Sequence, residues 1–118
     1  MKTRGGIEMI DSWYGMDFME EGMKEFMEKN GFDETIARKL YTDYVNQIPL
    51  MISSMEMALA ESNMENLSKL AHQLKGSSGM LRITKMAETC AILEMAVKNS
   101  DRVQSSEVIE KIKWLYDL

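Results

Sequence analysis

The chain has 118 residues, 45% of them apolar and 28% charged, with a single proline and a single cysteine. That length makes one domain, and its folding buries roughly two-thirds of the unfolded surface, enough for a core without disulfide or metal staples. Nineteen acidic against fourteen basic side chains leave a net charge of −5, the wrong sign for affinity to nucleic-acid phosphates, and one histidine with one cysteine cannot build a zinc site.

The early basic residues Lys2 and Arg4 are not followed by an apolar run of signal-peptide length. The apolar stretch around Ile48 to Ile52 falls far short of the roughly 20 residues that cross a bilayer. A soluble, cytoplasmic chain is therefore expected, with neither nucleic acid nor membrane as partner. Nothing in it asks for oligomerisation, so a monomer is expected. Residues 1–16 read as an N-terminal extension and 17–118 as one helical domain.

Asp17 and Glu20 have the spacing of a capping box, and Met19, Met23, Phe26 and Met27 follow at helical intervals until Asn30-Gly31. This predicts a first helix over 17–29. Asp33 can cap a long second helix, about 34–61, with an apolar stripe of Ile36, Leu40, Tyr44, Ile48, Met51, Ile52, Met55 and Leu59. Pro49 removes one backbone donor inside it, but the stripe stays in phase on both sides, so a bend is expected and not a break.

Ser62 and Glu65 form a second capping box for a third helix, 63 to about 81, which turns Leu67, Leu70, Ala71, Leu74, Ser78 and Leu81 inward. After a turn near Arg82 and Ile83, Thr84 can cap a fourth helix whose inward positions are Met86, Cys90, Leu93 and Val97. Asn99-Ser100-Asp101 is the last loop, and a fifth helix places Val108, Ile109, Ile112, Leu115 and Tyr116 in the core. No alternating β-branched run signals a strand. The fold class is all-α: an antiparallel up-down four-helix bundle with the additional N-terminal helix packed across it.

One site stands out. At about 100° per residue, Leu67, Ala71, Leu74 and Ser78 fall within about 40° of the inward direction of the third helix. His72, the only histidine, falls about 140° away, with Lys75, Gly76 and Gly79 on the same outer face at about 80°, 180° and 120°. Ser68 and Glu65 lie one and two turns earlier. Two glycines inside a helix cost about 1 kcal/mol each against alanine, so they lower the wall around the histidine at an energetic expense. Lys75 is placed to stabilise negative charge arriving at the ring. An exposed imidazole is largely neutral near pH 7 and can act as a nucleophile without special activation. The chemistry suggested is transfer of a compact anion, a phosphoryl group, to and from His72.

If the third and fourth helices turn around residue 83, His72 and Glu94 stand at the same height. Glu94, at the edge of its helix's apolar stripe, is then able to accept a hydrogen bond from one ring nitrogen, fixing the tautomer and leaving the other nitrogen to attack.

The segment Ala71 to Ser78, AHQLKGSS, resembles the signature of the histidine-containing phosphotransfer (HPt) domain family. Leu81, Met86, Cys90 and the pair Leu93-Glu94 extend the similarity, as do Tyr41, Tyr44 and Pro49 upstream, so that it covers about residues 33 to 99. The resemblance implies that His72 accepts a phosphoryl group from a receiver-domain aspartate and passes it to a second receiver, with Lys75 stabilising its charge. It implies a carrier that is not an enzyme by itself, whose partners are response-regulator receiver domains and a hybrid sensor histidine kinase. Gly76, Gly79, Ser68 and Gln73 would belong to the receiver-docking surface, extended by adjoining parts of the second helix. No cofactor of its own is expected, since neither a Mg²⁺-type carboxylate cluster nor a phosphate loop appears and Mg²⁺ would sit on the receiver. The family commonly has glycine after the Leu81 position, where this chain has Arg82; a side chain there resists positive φ, so an altered turn or a longer third helix is expected.

Other readings compete. In a sensor-kinase dimerisation segment the histidine is normally followed by an acidic residue, and here Gln73 follows. A cofactor-binding bundle, with His72 and a methionine on haem, conflicts with an outward histidine; a purely structural bundle leaves Gly76 without a reason. The thirteen methionines mostly fall on apolar stripes as core filler, and Cys90 reads as an inert buried side chain.

Overall fold

The computed structural model describes residues 24–25, 27–31 and 33–117. The extension 1–16 and the opening turns of the first predicted helix lie outside the described residues. Of that helix, residues 24–25 and 27–30 are helical. Gly31 follows at a φ of +72° with its amide donating to the Met27 carbonyl at 2.8 Å, so glycine supplies the left-handed residue that ends the turn. Met27 is partly buried against the core.

Four helices follow: α1 Glu34–Ala60, α2 Met64–Met80, α3 Thr84–Lys98 and α4 Arg102–Asp117. Among the described residues there is no strand, and no helix is long and apolar enough to cross a membrane. α1 packs on α2, α2 on α3, α3 on α4, and α4 back on α1. Side chains from all four share one core.

Asp33 caps α1, its carboxylate accepting the Ile36 amide at 2.9 Å. The helix runs unbroken through Pro49. Val45 and Ile48 before the proline and Met51 and Ile52 after it are all buried, so packing on both sides outweighs one missing backbone bond. The buried face departs from the expected stripe at the helix start. Ala37 and Tyr41 point inward in place of Ile36 and Leu40: Ile36 is exposed, and Leu40 and Leu59 are only partly buried. Position sets this, not hydropathy, because 37, 41, 44, 48, 51, 55 and 58 form one continuous helical line. In α2, α3 and α4 the expected inward residues are buried, except Leu70 and Tyr116, which are half-buried.

The three connections share one construction. Glu61-Ser62-Asn63, Leu81-Arg82-Ile83 and Asn99-Ser100-Asp101 each hold a left-handed central residue, with φ of 58°, 65° and 57°. In each, the central amide and the one after it reach back to the preceding helix: Arg82 to the Gly79 carbonyl at 3.1 Å, Ile83 to that of Ser78 at 2.8 Å. This is the Schellman closure, which satisfies the orphan carbonyls of the helix end. The expectation that Arg82 would alter this turn or lengthen the helix is corrected: α2 stops at Met80 and Arg82 takes the positive φ that glycine would take.

The same geometry corrects two caps. Ser62 is the left-handed residue, its hydroxyl accepting from Arg102 at 2.8 Å, so Asn63 caps α2 by accepting the Asn66 amide at 3.1 Å. Thr84 is already inside α3; the N-cap is Ile83, which has no side-chain cap bond and is buried instead. Asp101 caps α4 through the Gln104 amide at 2.9 Å.

Candidate functional site

The three-residue turn centred on Arg82 brings α3 back along α2 so that residues eleven positions either side of Ile83 meet. His72 and Glu94 are that pair. The His72 side chain is 73% exposed, and its Nδ1 lies 2.8 Å from Glu94 Oε2. The other oxygen, Oε1, lies 2.6 Å from Lys75 Nζ. The bond from Lys75 pulls the Glu94 carboxyl below the usual carboxylate range against a smaller upward push from burial, and the bond to His72 adds to the lowering. An ionised carboxylate can only accept, so the ring hydrogen sits on Nδ1 and the lone pair on Nε2. Among the described residues Nε2 has no hydrogen-bond partner.

Lys75 is engaged with Glu94 and only 37% exposed. Long side chains reach across a helix pair, and this partner sits on a neighbouring helix that spacing within α2 could not reveal.

Gly76 and Gly79 are both exposed, and a Cβ built on either would meet nothing within 4 Å. Neither glycine is required by packing inside the chain, and neither has a positive φ. Gln73 is exposed, its carbonyl accepting from the Ser77 hydroxyl at 2.8 Å. Ser68 is half-buried and lines an open groove of about 610 Å³ in which Met64, Ser68 and Lys75 of α2 face Ala91, Glu94 and Met95 of α3. The groove is lined by α2 and α3, while Ser78 and Leu81 face α1.

The family model for the Hpt domain matches residues 39–117, more than half of the chain. The chain belongs to the Hpt family. It is 26% identical over 111 residues, 84% of this chain and 36% of the relative, to Multistep phosphorelay regulator 1 of Schizosaccharomyces pombe. It is 33% identical over 58 residues, 49% of this chain and 32% of the relative, to Phosphorelay intermediate protein YPD1 of Candida albicans. The chain thus spans about a third of the length of these relatives. No solved structure matches at a significant level. The Hpt match includes α4, beyond the reach of the motif resemblance.

Two features of this Hpt chain lie outside the motif reading. Ala91 and Met95, groove residues of α3, were hidden as ordinary exposed positions; their spacing of three and one from Glu94 is the only sequence signal for them. Beneath the site, Tyr44 Oη and Ser78 Oγ stand 2.6 Å apart in the α1–α2 seam, and the Tyr41 hydroxyl donates to the Leu81 carbonyl. Ser78 is therefore a packing residue with a satisfied hydroxyl. Cys90 is fully buried, and burial pushes its thiol up to about 12. Among the described residues no three His, Cys, Asp or Glu side chains gather where they could hold a metal ion. A mostly exposed His72 also points away from any group bound inside the bundle.

Proposed function

We propose that this chain carries a phosphoryl group in a multistep phosphorelay, accepting it on His72 from the aspartyl phosphate of one receiver domain and delivering it to the aspartate of another. The observation that carries the reading is the His72–Glu94 bond: Nδ1 is held by the carboxylate, so Nε2 keeps an accessible lone pair on the open side of the ring. Gly76 and Gly79 leave the approach bare, and Lys75 stands within reach of charge brought in. The names of the two relatives, a phosphorelay regulator and a phosphorelay intermediate, support the same reading.

In this reading the chain is a carrier, and the receiver supplies the Mg²⁺ and the aligned acceptor. A hybrid sensor kinase feeds the first receiver. Gly76, Gly79, Ser68 and Gln73 belong to the docking surface, which continues into the groove beside Met64, Ala91 and Met95. Docking is transient, as a shuttle requires. The chain works as a monomer in the cytoplasm. The helices run alternately up and down, with the N-terminal helix across them; the three-residue turns and the closed order of helix contacts support that arrangement.

The test is transfer from a purified phosphorylated receiver domain. Wild type takes the label and His72→Gln does not, and the label on wild type survives base but not acid. Equal labelling of His72→Gln would remove the assigned nucleophile.

A further inference from the structure

We infer that Glu94 sets how firmly the phosphoryl group is held on His72 by competing with it for the Lys75 ammonium. The inference rests on the phosphotransfer reading above and adds a regulating residue to it. Both oxygens of Glu94 are occupied, Oε2 on the ring at 2.8 Å and Oε1 on Lys75 at 2.6 Å. The ammonium that would neutralise a phosphoryl group is therefore already committed to a carboxylate.

In the transfer, the Nε2 lone pair forms the N–P bond while the P–O bond to the receiver's aspartate breaks and its electron pair leaves with that carboxylate. The Nδ1 proton stays in place, so the ring becomes cationic beside a dianionic phosphoryl group. Before the step, Lys75 pairs with Glu94 and the ring is neutral. After it, the ring cation faces Glu94 across the existing hydrogen bond, and the oxygens of the phosphoryl group, whose phosphorus is bonded to Nε2, attract Lys75. The two directions diverge across the ring, so one compact ammonium cannot serve both anions equally. Glu94 thus acts in opposite senses: it stabilises the phosphorylated ring directly and withholds Lys75 from the phosphoryl group.

These two effects separate in a double-mutant cycle. Glu94→Gln removes both in a chain that keeps Lys75, but only the ring effect in a Lys75→Met background. Phosphoramidate serves as donor, giving phosphohistidine and ammonia. The ratio of labelled to unlabelled His72 is read by phosphorus NMR at a fixed phosphoramidate-to-ammonium ratio, corrected with the hydrolysis rate measured after the donor is removed. The factor by which Glu94→Gln changes that ratio should be about fivefold more favourable to label with Lys75 present than in the Lys75→Met chain.

A difference above about twofold in that direction supports the inference. Additivity within about twofold, or the reverse sign, overturns it; the reverse sign is what a Glu94 that merely positions Lys75 would give. Lys75→Gln, tested alongside, guards against an idiosyncrasy of the methionine side chain, and thermal midpoints check that each variant is folded. A labelled wild type with an additive cycle removes only this inference, whereas a wild type that takes no label on His72 removes the phosphotransfer reading and this inference with it.

Discussion

Tyr44 Oη and Ser78 Oγ meet at 2.6 Å in the buried seam between α1 and α2, six residues along α2 from His72 and on its opposite face. Burial raises the Tyr44 phenol well above its ordinary range, with the bond to Ser78 a smaller opposing effect, so the group is neutral throughout the accessible pH range. The pair fixes the rotation of α2 on α1, and with it the outward direction of His72.

Tyr44→Phe should cost about 1–2 kcal/mol, because it strands the buried Ser78 hydroxyl without a partner. Ser78→Ala strands the phenol in turn. The double variant should cost less than the sum of the two, since neither group then needs a partner. Urea unfolding of the four chains measures this, and strict additivity would mean that the bond does no work in the seam.

The three left-handed residues make a second expectation. Ser100 has a φ of 57° and pays the steric cost of a Cβ there. Ser100→Gly should raise stability by about 1 kcal/mol, the relief of strain exceeding the extra freedom of the unfolded chain. Ser62→Gly should gain less, because it loses the bond from Arg102 to the Ser62 hydroxyl. Thermal midpoints of the two variants should therefore rank Ser100→Gly above Ser62→Gly, and an unchanged or lower midpoint for Ser100→Gly would contradict the turn geometry.

Much of this was legible in the sequence and some was not, for identifiable reasons. The pairing of His72 with Glu94 could be read because helical rise and a symmetric turn fix residue heights without any knowledge of side chains. The cap of Asp33 could be read too, but that of α2 could not: Ser62 and Asn63 are both good N-caps, and the choice between them falls to whichever residue becomes left-handed in the Schellman closure. Ile36 misled because its hydropathy exceeds that of Ala37, although the line through Tyr41 and Tyr44 places the alanine inside. The ion pair of Lys75 could not be read, because its partner lies on another helix. Arg82 carries a Cβ that opposes a glycine-type turn, but the two returning hydrogen bonds hold it at a φ of 65°.

The Glu94 cluster has a defined response to pH. Its carboxyl is lowered in the folded chain by Lys75 first and His72 after it. A lowered acid contributes stability above its unfolded value, about 4.3, and loses it as pH falls through the folded value below that. The Glu94 carboxylate should therefore keep its contacts with Lys75 and His72 as pH falls towards that value and lose them only beneath it. Carbon NMR of the Glu94 carboxyl in wild type and in Lys75→Met checks this: the midpoint should move upward in Lys75→Met, and an unmoved midpoint would show that the 2.6 Å contact does not persist in solution.

Gly76 offers the sharpest separation of folding from function. A Cβ there meets nothing within 4 Å and the backbone is ordinary helix, so the chain itself gains nothing from glycine at that position. Gly76→Ala should increase stability by about 0.5–1 kcal/mol, the usual helix-interior difference. If the open ground exists to admit a receiver's aspartyl phosphate, the same substitution should slow transfer, and Gly76→Gln should nearly abolish it while the chain stays folded. Stability should thus rise as transfer falls, a combination that damage to the fold cannot produce. Measuring the urea midpoint and the receiver-to-His72 transfer rate on the same preparations decides it. Gly76→Gln with wild-type transfer would show that no partner comes close to this part of α2, leaving the energetic cost of the glycine without a function to explain it.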